Sequence, residues 1–127
     1  MKKLIVLMSL ACTLQAAPPE AFWKALHEVE ASGRVGPIRG DNGAALGPYQ
    51  ITRAYWKDSR VAGSYGQCAS LAYSRKVATA YLKRYAPRSW ASGNCQVLAR
   101  IHNGGPTGYR KKSTLKYWRR FQKAMKP

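Results

Sequence analysis

From Gly33 to Pro48 the chain carries glycine at 33, 36, 40, 43 and 47 and proline at 37 and 48. An interior glycine costs a helix about 1 kcal/mol and a proline about 3. No long helix survives such a run, so it has to be turns or a small β-hairpin. Asp41-Asn42-Gly43 is a strong turn signal inside it. On either side the apolar residues return at helical spacing. The expected fold is therefore α+β: mostly helical, with a small β-hairpin or irregular lobe.

The flanking helices follow from periodicity. Phe22, Ala25, Leu26 and Val29 stand at i, i+3, i+4 and i+7, and Gly33 marks the end of that helix. A short helix is predicted over residues 52–59 with Thr52 as its N-cap. A longer one is predicted from Cys68 to Tyr85, with Leu71, Ala78, Tyr81, Leu82 and Tyr85 on one face and Pro87 as its stop. Asn94 to His102 forms another, turning Val97, Leu98 and Ile101 inward and closing at Gly104-Gly105-Pro106. The last runs from Ser113 to Lys126. Leu115, Trp118, Phe121 and Met125 make its apolar side against Lys116, Arg119, Arg120 and Lys123. That stripe reads as one side of a core. A basic amphipathic helix also suits a membrane surface, so membrane contact is a secondary expectation.

The chain has 127 residues, enough for one core. Residues 1–17 read as an export signal: Lys2 and Lys3, a short apolar run, then small residues before Pro18-Pro19. Residues 18–127 are expected to form a single domain, secreted or periplasmic. Cys12 follows Ser9-Leu10-Ala11, a loose match to a lipid-attachment box, and simple export is the preferred reading. The formal net charge is +17, falling to +15 once Lys2 and Lys3 leave. Such a charge calls for a polyanionic partner. The basic residues are scattered through all the helices and no nucleic-acid motif appears, so an anionic cell-wall surface fits better than nucleic acid. Cys68 and Cys95 remain after export and are expected to pair as a disulfide. Neither they nor His27 and His102 have the ligand spacing of a zinc site. No metal or cofactor is expected, and the chain is expected to be a monomer.

The mature part holds five acids: Glu20, Glu28, Glu30, Asp41 and Asp58. Glu30 falls on the flank of the first helix's apolar stripe, at the C-terminal end where the helix dipole disfavours a carboxylate. Burial and dipole should both raise its pKa, and a carboxyl group protonated near neutral pH suits general-acid catalysis. Glu20 and Glu28 look like solvated helix residues.

Three segments stand out together. They are Glu30-Ala31-Ser32-Gly33; Gly40 to Ile51, ending Gly47-Pro48-Tyr49-Gln50-Ile51 and leading into Tyr55-Trp56-Lys57-Asp58; and His102-Asn103-Gly104-Gly105-Pro106. In this order and spacing they resemble the lysozyme-like superfamily, most closely the invertebrate-type, destabilase-like lysozymes and their short bacterial relatives. The resemblance covers roughly residues 20 to 125. It implies a lysozyme-like fold with the small lobe beside an active-site groove. It also implies a muramidase that cuts the β-1,4 bond between N-acetylmuramic acid and N-acetylglucosamine in peptidoglycan, an antimicrobial, wall-degrading activity.

On this resemblance Glu30 aligns with the family's catalytic acid. Asp41 is the nearest match to its second carboxylate, one residue out of register when counted back from Gly47. Asp41 lies in a turn rich in backbone N–H groups, which suits an acid that stays ionised. Asp58 is expected to be structural, paired with a basic neighbour, and stays open as the second carboxylate. Gly47, Tyr49, Gln50, Tyr55, His102 and Asn103 are expected to line the sugar groove, with one of Tyr55 and Trp56 in the core. His102 alone, without a placed serine and acid, makes a poor nucleophilic triad. Two other outcomes stay open: a lytic transglycosylase with one glutamate and 1,6-anhydro products, and a non-enzymatic cationic protein acting on membrane or wall.

Overall fold

A computed structural model describes residues 17–127. The expected export signal, including Cys12, lies outside the described residues apart from Ala17. The small lobe forms where the glycines require it. Strands β1 (Arg39–Gly40), β2 (Ala45–Leu46) and β3 (Ile51–Thr52) make an antiparallel sheet in the order β1-β2-β3. Arg39 pairs with Leu46, and Leu46 with Ile51. A 3-10 turn at Asp41–Gly43 joins β1 to β2.

Among the described residues six α-helices accompany this lobe. They are α1 (Glu20–Ala31), α2 (Arg53–Ser59), α3 (Leu71–Tyr85), α4 (Pro87–Ser92), α5 (Cys95–Gly104) and α6 (Leu115–Met125). α1 packs chiefly on α6, α2 on α3, and α5 touches α3, α4 and α6. Phe22 and Leu26 of α1 meet Ile51, Leu82, Leu98, Ile101 and Phe121 in one fully buried cluster. The Phe22 and Phe121 rings lie 5.2 Å apart, joining the first helix to the last.

Local chemistry explains most helix ends. The Thr52 hydroxyl accepts from the Tyr55 amide at 3.2 Å, capping α2 as the sequence predicts. The Asn94 side chain does the same for α5 through the Val97 amide. Ser32, in the left-handed region, ends α1 by donating its amide to Glu28 O.

Two boundaries differ from expectation. The long helix begins at Leu71, not Cys68, because Ser70 is its N-cap and Tyr65–Ala69 forms a separate 3-10 turn. Pro87 does stop α3, but it also opens α4: a proline at the first helical position lacks only an N–H that would have no partner there. The last helix starts at Leu115, after two 3-10 turns at Gly108–Arg110 and Lys112–Thr114.

No helix among the described residues is long and apolar enough to cross a membrane. The expected Cys68–Cys95 disulfide is absent: both are free thiols. Cys68 is buried in the 3-10 turn that packs on α3 and β2, whereas Cys95 opens α5, whose partners are α3, α4 and α6. Burial pushes the Cys68 thiol up to about 11, so it is protonated and inert.

Candidate active site

Where the small lobe meets the helices there is a cleft of about 570 Å³. Its helical side is formed by Val29 and Glu30 of α1, His102 and Asn103 of α5, and Tyr117 and Arg120 of α6. Asp41 and Gln50 of the small lobe and Tyr55 and Asp58 of α2 face them. Three of the five acids of residues 17–127 therefore converge on one concavity.

Glu30 is half-buried in the last turn of α1. Burial raises its pKa to about 7, against the smaller opposing pulls of the Tyr117 hydroxyl and the Arg120 guanidinium. The carbonyl end of α1 acts in the same direction as burial, and no basic residue occupies its last turn to offset it. Arg120 reaches across from α6 and donates to Val29 O at 3.3 Å, satisfying a carbonyl that the ending helix leaves open. Glu30 is thus a carboxyl group that keeps its proton in about half of the molecules at neutral pH.

His102 is fixed from both ring nitrogens. One contact, at 2.9 Å, is from Nε2 to the Tyr49 carbonyl, which only accepts, so Nε2 carries the proton. Nδ1 then accepts the Tyr55 hydroxyl at 2.8 Å. Burial lowers the His102 pKa to about 4, so the ring is neutral at neutral pH. Tyr55 is held in turn by stacking on Tyr81, with centroids 3.7 Å apart and planes 12° from parallel. With both nitrogens engaged, His102 braces the cleft wall and the backbone of the small lobe.

Asp41 and Asp58 are exposed. Asp41 has φ +51°, Asn42 φ +54° and Gln50 φ +51°, left-handed conformations that aspartate and asparagine tolerate better than other side chains. Asp41 and Gln50 both point into the cleft region from this strained backbone. Gln50 Nε2 donates to Gly47 O at 2.9 Å and Ile38 O at 3.2 Å, tying the lobe together behind its cleft face. Asp58 has no ion pair among the described residues; Arg84 donates to its main-chain carbonyl at 3.0 Å instead. The expected structural pairing of Asp58 is therefore not formed, and its carboxylate is free at the cleft.

The chain matches the Destabilase family model over residues 24–124. It belongs to the Destabilase family. Lysozyme 1 of the oyster Crassostrea virginica is 47% identical over 83 residues, which are 64% of this chain and 45% of that protein. The chain thus spans about half the length of that relative. A lysozyme of Ostrea edulis is 35% identical over 118 residues, 90% of this chain and 85% of that one. An inhibitor-bound lysozyme from Meretrix lusoria superposes with a TM-score of 0.74 at 34% identity, covering 85% of this chain and 91% of its own. The mostly helical α+β architecture of this Destabilase chain is the lysozyme-like fold.

Within this Destabilase fold, the structure brings Glu30, Asp41, Gln50, Tyr55, His102 and Asn103 to the cleft as the sequence suggests. It does not bring Gly47 or Tyr49 there. Tyr49 is buried against Trp23, with ring centroids 5.7 Å apart, and contributes only its carbonyl to His102. Gly47 has φ +81°, and a Cβ there would lie 1.8 Å from the Cys68 carbonyl. The glycine permits a close approach of backbone to backbone, not of backbone to sugar.

Tyr117 and Arg120 were not legible as site residues. The apolar stripe of α6 reads through Leu115 and Trp118, yet these are only partly buried, while Tyr117 and Phe121 are buried. An i, i+4 aromatic pair was the available signal, and it points one residue away from the stripe the sequence suggests.

Proposed function

We propose that this Destabilase-family chain is a muramidase that cleaves the β-1,4 bond between N-acetylmuramic acid and N-acetylglucosamine, with Glu30 as proton donor. The observation that carries the reading is a half-buried carboxyl group, its pKa raised to about 7, facing two exposed carboxyl groups across one cleft. Glycoside cleavage needs this asymmetry. Glu30 gives its proton to the glycosidic oxygen as the bond from the sugar's anomeric carbon breaks and leaves as an alcohol. Asp41 is the anionic partner that holds, attacks or supplies water to the resulting oxocarbenium-like centre. Gln50 and Asn103 offer amide groups to sugar hydroxyl or acetamido groups, and Tyr55 with His102 holds the cleft floor. The formal charge of +15 on the exported part concentrates the protein on anionic wall polymer.

The test is mass spectrometry of peptidoglycan digested by wild type and by Glu30→Gln. The expected result is new reducing ends at N-acetylmuramic acid with wild type and none with the variant. Anhydro ends would replace hydrolysis by transglycosylation. Unchanged digestion by the variant would remove Glu30 from the reaction.

A further inference from the structure

One polar side-chain atom among the described residues is buried with no hydrogen-bond partner, and it lies beside the acid. The Tyr117 hydroxyl is inaccessible to solvent on a residue only 7% exposed, and Tyr117 lines the same cleft as Glu30. Its ring is held in the core against Phe121, with centroids 6.1 Å apart, so the hydroxyl has little freedom to turn elsewhere. A buried hydroxyl without a partner is disfavoured and survives where something else requires it. The Glu30 carboxyl lines the same cleft and its charge acts on the Tyr117 hydroxyl, yet the hydroxyl has no hydrogen-bond partner.

We propose that Tyr117 is a positioning residue for the proton donor: its hydroxyl completes a hydrogen bond to one Glu30 oxygen as the other oxygen gives up its proton. The inference rests on Glu30 being the general acid. In the protonated form that donates, Glu30 is neutral and attracts the phenol O–H only weakly. During cleavage the proton leaves Glu30 for the glycosidic oxygen, the bond to the anomeric carbon breaks, and Glu30 becomes a carboxylate in a half-buried site. A phenol O–H beside that carboxylate forms its hydrogen bond as the charge develops, so the stabilisation is greater in the transition state than before it. Tyr117 keeps its own proton throughout, because burial holds its hydroxyl well above the usual phenol range. The bond also fixes which Glu30 oxygen faces the substrate.

Other groups around the cleft act on Glu30 as well. Arg120 on α6 favours the carboxylate, Tyr55 on α2 feels its charge, and Asp41, Asp58 and His102 line the same space. Each stays in place when only the Tyr117 oxygen is removed.

The experiment is Tyr117→Phe in the full chain, with the Glu30 carboxyl titrated by carbon-detected NMR and kcat and KM measured on soluble peptidoglycan fragments. The ring, and hence the packing, is retained, and the melting temperature should hold or rise. The expected result is a Glu30 midpoint higher than wild type, a kcat lower by roughly tenfold, and a KM within about twofold. An unchanged Glu30 midpoint in the folded variant would overturn the proposal, and so would a shifted midpoint with unchanged kcat. The titration reads the Tyr117–Glu30 contact whether or not the wild type cleaves peptidoglycan. Failure of the muramidase reading is therefore seen separately, as absent wild-type activity.

Discussion

The two sides of the cleft carry the same kind of group under different conditions. On the helical side His102 and Tyr117 are buried and Glu30 is half-buried, and burial moves each toward its neutral form: Glu30 up to about 7, His102 down to about 4, Tyr117 well above the phenol range. On the facing side Asp41 and Asp58 are open to water, one on a left-handed turn and the other near the end of a short helix. Burial on the helical side suits its carboxyl group to proton donation, and the acids facing it have no such cover. The helical side owes its dryness to the α1–α6 contact and the aromatic packing of Phe22, Phe121 and Tyr117, so the core itself sets the chemistry.

The contrast breaks most sharply at Glu30. Glu30→Gln should lower kcat/KM for wall fragments by roughly 10³-fold, within the range set by a lost general acid, while circular dichroism stays that of the wild type. The same variant should be the more stable protein in alkali. Folding raises the Glu30 pKa from 4.5 to about 7, so between those values the folded state binds more protons than the unfolded one. Wild-type stability therefore falls as pH rises through that window, by up to about 3 kcal/mol, and stays low above it. Urea unfolding of both proteins at pH 4 and pH 9 should show the variant's advantage at pH 9 only. His102 acts in the opposite sense. Its folded pKa of about 4 lies below the unfolded 6.5, so it lowers stability as pH falls through that range, equally in both proteins.

The wet side gives the next effect. Asp41→Asn should cut turnover about 10²-fold and Asp58→Asn less than tenfold, measured as reducing ends released. The reverse order would move the anionic role to Asp58. The smallest effect is in the bracing. Tyr55→Phe removes the hydroxyl that His102 Nδ1 accepts and should lower unfolding free energy by about 1 kcal/mol, with an activity loss of only a few fold.

Much of this cleft was legible in the sequence. The position of Glu30 on the edge of an amphipathic stripe, just before Ser32-Gly33, foretells both its burial and its direction of shift. The Gly33–Pro48 run foretells the small lobe, and Asp41-Asn42-Gly43 its turn. What the sequence concealed was long-range. Gly47 faces the Cys68 carbonyl and Tyr49 faces Trp23, contacts set by how the lobe docks and not by any local spacing. The two cysteines are expected to pair in an exported chain, yet both stand as free thiols in the fold. Tyr117 lies one residue off the stripe that periodicity gives for α6, and helical periodicity locates a stripe only to within a residue. Asp58 is expected to pair with a basic neighbour, but the guanidinium that comes to it, Arg84, donates to its main-chain carbonyl, a choice no local spacing encodes.

The measurement closest to the central claim is the titration of the Glu30 side chain in the intact protein, followed by NMR of its carboxyl carbon. A midpoint near 7 is the result expected of a carboxyl group kept dry and protonated at the cleft. A midpoint near 4.5, the ordinary value, would mean that water reaches Glu30 freely and that the helical side does not make it an acid.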